Sequence, residues 1–94
     1  MAEIEDQKVE VSDRSALNRY EIRVDGELAG LADYLLDGEK INFVHTEVDP
    51  ARGGQGLGSR LIEFAVTDAR SRNLEIIPSC PFVRDWIKEH PEDS

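Results

Sequence analysis

The sequence predicts an α+β fold: a mixed, mostly antiparallel sheet with one strand–helix–strand crossover and a short C-terminal helix. Two Asp-Gly pairs, Asp25-Gly26 and Asp37-Gly38, separate stretches in which apolar residues recur at strand spacing, which is typical of hairpins. A glycine cluster between Gly53 and Gly58 then joins an apolar strand to a helix and a further strand. Such a unit favours parallel pairing with a right-handed crossover.

Four strands are predicted before the glycine cluster. Val9 and Val11 alternate with polar residues, which suits a short edge strand. Residues 20–24 alternate cleanly, and residues 28–36 follow the first Asp-Gly turn as a longer strand. Gly30 within that strand is expected to allow a bulge or the close approach of a neighbour. Three long strands, the last at residues 41–48, therefore form an antiparallel meander.

The strand at residues 41–48 carries apolar groups on both faces, so we expect an inner strand that is covered on both sides. Strict alternation places Phe43 on one face together with His45 and Glu47. Asn42, Val44, Thr46 and Val48 then take the other face. The change from apolar to polar at His45 predicts either a bulge or the point at which the strand leaves its neighbour.

The long helix is predicted from about Gly56 to Arg72, where apolar residues recur at helical spacing, and Asn73 is its expected stop. Residues 75–78 form a short strand that Pro78 ends. A last short helix begins with Pro81 at its first position, capped by Ser79 or Cys80.

Composition limits the functions that this chain can have. Its 94 residues form one domain, 1–94, with frayed tails expected at 1–7 and 91–94. It has neither a transmembrane run nor a signal peptide, and its one cysteine cannot form an internal disulfide. We therefore expect a cytoplasmic protein with no membrane partner. A net charge of −9 argues against nucleic acid as a partner and weakly favours a cationic substrate such as an amine.

The stretch from Val48 to Leu61 contains four of the seven glycines, at the junction of a strand and a helix. Glycines there let several backbone N–H groups point at one anion, and the helix dipole adds positive charge. A phosphate or pyrophosphate is the predicted ligand, with Arg52 or Arg60 as further contacts. Ser59 stands where a P-loop needs lysine, and no Gly-x-Gly-x-x-Gly pattern fits, so two common nucleotide loops are excluded.

These residues resemble the acetyl-CoA signature of the GCN5-related N-acetyltransferases, with Gly56 and Gly58 at its two small positions and Gly53 where Arg or Gln is usual. His45-Thr46-Glu47-Val48, and the segment from Pro78 to Val83 followed by His90-Pro91, resemble a short single-domain subfamily. The resemblance covers about residues 20–91. It implies a minimal acetyltransferase fold with CoA or acetyl-CoA as cofactor.

The resemblance also implies how the cofactor lies. Backbone amides of about residues 55–59 would hold the pyrophosphate, and pantetheine would run beside Val48 like an extra strand. The acetyl group would point toward Cys80 and the region of His45. The implied cofactor-binding residues are Val48, Gly53, Gly54, Gln55, Gly56, Leu57, Gly58 and Ser59.

Cys80, His45 and Glu47 are the candidate catalytic residues. Cys80 opens a helix, which favours the thiolate, so it is either a nucleophile, a general acid toward the CoA thiolate, or a small core residue. His45 is either the base for an attacking ammonium or a hydrogen-bonded histidine within the sheet. Glu47 is either a base acting through water or a solvated charge.

Two other chemistries are weaker. A Cys–His–carboxylate hydrolase triad lacks any further protease signature, and the cysteine and histidines lack paired spacing for a metal. Two function classes therefore remain: transfer of acetyl from acetyl-CoA to an unidentified amine on a small molecule or protein, or a CoA-binding regulatory module with little catalysis.

Overall fold

The computed structural model describes residues 8–52 and 55–91, and it confirms the α+β class. Its sheet has five strands in chain order, β1 (Val9–Arg14), β2 (Arg19–Val24), β3 (Glu27–Asp37), β4 (Lys40–Val48) and β5 (Glu75–Pro78). The helices are α1 (Leu57–Ser71) and α2 (Pro81–Glu89). β1 to β4 pair antiparallel, and β5 pairs parallel to β4 after the α1 crossover. Single 3₁₀ turns cover Ser15–Leu17 and Pro50–Arg52.

Both predicted hairpins are present. In the first, Asp25 and Gly26 have φ of 53° and 87°, the positive values that a tight two-residue loop between twisted strands requires. The second loop lies one residue later than predicted, because Asp37 still pairs with Lys40; it consists of Gly38 and Glu39, with Gly38 at a φ of 64°. Aspartate and glycine tolerate these angles, so local chemistry explains why the chain reverses at both places.

The helix α1 ends where the sequence predicted. Asn73 adopts a φ of 60°, and the next N–H, of Leu74, donates to the carbonyl of Ala69 at 3.0 Å. The N–H of Asn73 donates to the carbonyl of Arg70 at 3.0 Å. This pair of bonds satisfies carbonyls that a helix end leaves free, and it turns the chain back into β5.

The hydrophobic core lies between α1 and one face of the sheet, called here the covered face. Its largest fully buried side chains from the sheet are Tyr20, Ile22, Tyr34, Ile41 and Phe43. The Tyr20 hydroxyl donates to Asp68 on α1 at 2.7 Å, and the Tyr34 hydroxyl donates to Asp13 at 2.6 Å. Burial and then the Asp68 bond raise the pKa of Tyr20, so the hydroxyl stays protonated as a donor. These bonds satisfy the polar ends of the core tyrosines.

A bulge in β4 changes which residues share a face. Tyr34 lies opposite Phe43, but its neighbour Asp33 lies opposite His45, so Val44 is an extra residue. The prediction of a bulge near His45 is confirmed. The prediction that Phe43 shares a face with His45 is wrong, because the extra residue shifts the alternation by one.

The face opposite α1 is called the open face. Val44 and His45 are exposed there, with the His45 side chain at 53%, so the prediction that β4 is covered on both sides is wrong for its second half. The inner position of β4 is confirmed.

Gly30 has the predicted close neighbour. A Cβ there would lie 2.9 Å from the Glu47 carbonyl oxygen, and the β2–β3 register skips the adjacent Ala29. Only glycine therefore lets β3 approach the end of β4 this closely.

Candidate active site

The strands β4 and β5 separate at the centre of the site. Their pairing ends at Phe43 and Pro78, and the Cys80 N–H then donates to the Phe43 carbonyl at 2.8 Å. Residues 44–48 of β4 continue beyond the last pair with β5. Because the two strands are parallel, the gap lies at their carboxyl ends, where ligands of such sheets bind.

The first turn of α1 faces the same end of the sheet. Gly56 is its N-cap, with a φ of 72° and no side chain to cap the turn, and the first helical bond runs from Arg60 N–H to the Gly56 carbonyl at 3.1 Å. The N–H groups of Leu57, Gly58 and Ser59 precede that bond and have no partner within the helix. No acidic residue lies in the first turn. The turn is therefore suited to an anion.

Gly58 is where α1, β4 and α2 meet. A Cβ there would lie 2.7 Å from Phe82 Cζ and 3.3 Å from Val48 Cγ2. The Trp86 indole N–H donates to the Ser59 hydroxyl oxygen at 3.0 Å, which ties α2 to the first turn. The structure thus brings together Val48 and Gly56 to Ser59. The predicted contacts Gly53 and Gly54 lie outside the described residues, and Gln55 is an exposed bend.

Cys80 is the N-cap of α2 and is only 6% exposed. Its Sγ lies 3.4 Å from the hydroxyl oxygen of Thr46, which projects from β4 toward the covered face. Burial raises the pKa of the thiol, but the bond with Thr46, together with the backbone N–H groups of Val83, Phe82 and Thr46, outweighs burial and lowers the pKa overall. The thiol at the carboxyl end of β5 therefore loses its proton more readily than an ordinary cysteine does.

His45 and Glu47 form a second unit on the open face. The Nε2 of His45 lies 2.7 Å from Glu47 Oε2, and the two side chains are 53% and 66% exposed. Cys80 bonds Thr46 and His45 bonds Glu47, so the structure pairs the thiol and the imidazole with different partners. This arrangement is not that of a Cys–His–carboxylate triad, in which the thiol bonds the imidazole.

The two candidate arginines differ in their surroundings. Arg52 donates to Glu27 at 3.1 Å and lies 3.8 Å from Asp49, so two carboxylates already hold its guanidinium. Arg60 is exposed in the first turn of α1, beside a groove lined by Val11 and Phe64. Arg60 is therefore the better placed of the two for a phosphate.

Sequence reasoning missed Thr46 as the partner of Cys80, because a bulge decides which way Thr46 points. It also missed the open-face cluster of Glu21 with Arg14, Arg19 and Arg23. Glu21 is 1% exposed, and the three guanidiniums reach its carboxylate at 3.3, 2.7 and 2.9 Å. The alternation of Arg19, Glu21 and Arg23 with apolar residues was the available signal.

The described part of the chain lacks two further kinds of site or segment. Across residues 8–52 and 55–91, no group of three or more potential ligands could hold a metal ion. Neither of the described helices is long and apolar enough to cross a membrane.

The chain belongs to the GCN5-related N-acetyltransferase family. The family model, described as GCN5-related N-acetyl-transferase, matches residues 19–94. That match begins at β2 and includes the separated strands, the first turn of α1 and Cys80. Membership places the chain among the acetyltransferases.

Two solved structures have similar folds. A GCN5-like protein from Staphylococcus aureus superposes with a TM-score of 0.65 at 28% identity, covering 92% of this chain and 82% of that chain. A ribosomal-protein-alanine N-acetyltransferase from Brucella melitensis biovar Abortus 2308 gives a TM-score of 0.53 at 22% identity. That comparison covers 80% of this chain and 62% of the Brucella chain, so this chain spans under two thirds of it. Both likenesses agree with the short acetyltransferase-like fold.

Proposed function

We propose that this protein transfers the acetyl group of acetyl-CoA to a primary amine. One observation carries the proposal: an uncapped helix N-terminus lies at the same end of the sheet as the gap between β4 and β5. The helix N-terminus supplies N–H groups for a pyrophosphate. The gap between β4 and β5 supplies an unpaired strand edge for an amide-containing chain. Few ligands other than CoA combine these two groups.

The residues present fit that cofactor. Leu57, Gly58 and Ser59 would hold the pyrophosphate through their backbone N–H groups, and Val48 would line the pantetheine. Gly56 has nothing within 4 Å of the position that a Cβ would occupy, so a phosphate can approach its backbone. Acetyl-CoA supplies an acetyl thioester, whose carbonyl carbon is open to attack by an amine.

Groups on the open face would remove the proton of the acceptor amine. The bond between His45 Nε2 and Glu47 favours the tautomer in which Nδ1 carries the lone pair. Nδ1 can then accept the proton that an ammonium must lose before its nitrogen attacks. Glu47 holds the ring in place and stabilises the imidazolium that results.

A group on the covered face, the Cys80 thiol, would act on the thioester sulfur or carbonyl of acetyl-CoA. Cys80 lies beside the gap with its thiol bonded to Thr46. The thiol is suited either to attack the thioester itself or to protonate the departing CoA thiolate. Either role requires a reduced Cys80, which agrees with a reducing compartment such as the cytoplasm.

Calorimetry with CoA tests the cofactor site. Ser59→Asp places a carboxylate in the first turn of α1. A carboxylate at this position is compatible with the helix but repels a phosphate. We expect CoA affinity to fall at least about tenfold, or about 1.4 kcal/mol, with an unchanged melting temperature. Ser59→Ala, which loses the Trp86 acceptor without adding charge, is the control and should keep most of the affinity.

Two results would contradict the proposal. Equal CoA affinity in folded Ser59→Asp and wild type would remove the pyrophosphate site. Tight CoA binding with no CoA released across a panel of amines and peptides would instead indicate the alternative class, a CoA-binding module without transfer.

A further inference from the structure

Resting on this proposed function, we propose that the acceptor is a polypeptide that carries an acidic side chain three or four residues from the reacting amine. It docks across the open face of the sheet, with its amine at His45 and Glu47 and its acidic group at Arg14 and Arg19.

Strand register aligns these groups in one row. Arg14 lies opposite Arg19, Arg19 opposite Asp33, and Asp33 opposite His45, so all four project from the same face. Neighbouring strands lie about 4.8 Å apart, which places Arg19 and Arg14 about 10 and 14 Å from His45. An extended chain covers those spans in about three and four residues.

Charge is separated along that row. At the β1–β2 end, three guanidiniums surround the carboxylate of Glu21, and Glu10, opposite Arg23, is paired with Lys8 at 3.4 Å, which leaves an excess of positive charge. The Arg14 side chain remains 48% exposed, so its guanidinium is accessible to a further anion. At the β4 end, Glu47 gives negative charge beside His45, and Asp33 lies midway, opposite both His45 and Arg19. An ammonium is thus attracted to one end and a carboxylate to the other.

An apolar depression lies beside Glu47, where β4 ends and β3 begins. A cavity of about 210 Å³ is lined by Leu28, Leu31, Val48 and Pro50, with Glu47 at its margin. Leu31 lies opposite both Glu21 and Glu47, which places it in the next row along the face. Only a side chain close to the reacting amine would reach this depression, and its burial would add affinity.

Other occupants match this face less well. A polyamine offers no anion to the arginines. The carboxylate of a free amino acid is too near its amine to span about 10 Å. A second copy of the chain docked here would cover His45 and Glu47, whose exposure the proposed function requires.

Peptide binding, measured by fluorescence anisotropy with CoA present and absent, tests the proposal without relying on transfer. Three labelled peptides are compared: one with glutamate three residues after the amine, one with glutamine at that place, and one of the same composition as the first with the glutamate moved to seven residues from the amine. The full chain should prefer the first peptide by about threefold, as expected for an exposed ion pair. The preference should shrink in high salt.

A matched pair of variants shows which surface causes the preference for the acidic peptide. Arg14→Glu and Arg70→Glu change the net charge equally, but Arg70 lies on α1, behind the other face. Arg14→Glu should abolish the preference and Arg70→Glu should keep it. Arg19 and Arg23 still bond Glu21 in Arg14→Glu, a melting temperature for each variant checks the fold, and the peptide series on the wild-type chain needs no variant at all.

The proposal is overturned if the wild-type chain binds all three peptides equally, or if both variants lose the preference alike. It is also overturned if sedimentation shows that two copies bury the open face, or if a polyamine without an anion binds there more tightly than the acidic peptide. If Ser59→Asp, which has lost CoA binding, still prefers the acidic peptide, then the open face binds the peptide without needing the cofactor site.

Discussion

The two faces of the sheet hold different halves of the candidate site, and β4 contributes to both. On the covered face, Thr46 bonds the buried thiol of Cys80. On the open face, His45 and Glu47 form an exposed pair. Consecutive side chains of β4 alternate between the faces, and one extra residue, Val44, decides which of them lies on which face. Under the proposed function, the thiol and the imidazole would therefore reach the gap from opposite sides of the sheet.

The faces also bury charge differently. At the covered face, Asp68 and Arg72 of the α1 region satisfy the Tyr20 hydroxyl, so a helix closes over the polar groups. On the open face, Glu21 is buried by the side chains of its own and the neighbouring strand. No described helix is needed for that burial, which leaves the arginines accessible for a partner.

The largest expected effect is on stability, and it tests the difference in packing between the two faces. Phe43→Ala should lower the free energy of unfolding by about 3–5 kcal/mol, because it empties a fully buried site. His45→Ala, two residues on, should cost under about 0.5 kcal/mol. Urea denaturation measures both, and the milder Phe43→Leu serves if Phe43→Ala does not fold. Equal costs at the two positions would mean that β4 has no bulge.

The next effect concerns transfer. Cys80→Ala should slow acetyl transfer at least about a hundredfold, while Cys80→Ser should be intermediate if the thiol is a general acid. Mass spectrometry after incubation with acetyl-CoA separates the two roles: a nucleophile gains one acetyl group on Cys80, and a general acid gains none. A full transfer rate in Cys80→Ala, with CoA binding intact, would show that the thiol only packs.

A smaller effect concerns the open face and pH. Burial raises the pKa of Glu21, but the bonds from Arg19 and Arg23 outweigh it and hold that pKa below its usual range. The depressed pKa adds stability that is present above the unfolded pKa, about 4.3, and is lost as the pH falls through the folded pKa. Glu21→Gln should therefore cost about 2 kcal/mol at pH 7 and progressively less below about pH 4.

The matched control for this pH prediction is Glu63→Gln, an exposed change on α1 that should have little effect at any pH. Thermal melts from pH 3 to 7 measure both. A cost of Glu21→Gln that stays constant down to pH 3 would mean that the arginines do not depress this pKa.

The smallest effect tests the covered-face bond. Thr46→Val removes the hydroxyl beside the Cys80 sulfur at nearly constant volume. Because that bond is the largest favourable contribution to the thiolate, the thiol pKa should rise. The pH profile of alkylation by iodoacetamide should shift upward, whereas Thr67→Val on the exposed side of α1 should leave it unchanged. An unmoved profile in Thr46→Val would locate the shift in the backbone N–H groups at positions 46, 82 and 83.

The sequence by itself determined the elements and their connections. Asp25-Gly26 and Asp37-Gly38 mark both hairpins, Asn73 ends α1, and Pro81 opens α2, because each acts through local dihedral angles and caps. The glycine cluster likewise predicted a helix N-terminus beside a parallel crossover, which depends on the order of elements along the chain.

Only the tertiary structure decided which side chains meet. The side on which Thr46, His45 and Glu47 project depends on an extra residue in the pairing of two strands, and alternation along one strand cannot show it. The Thr46–Cys80 bond and the Glu21 cluster join residues that only strand register and the crossover bring together. The chemistry of the candidate site therefore depends on register, which long-range packing sets and local sequence does not.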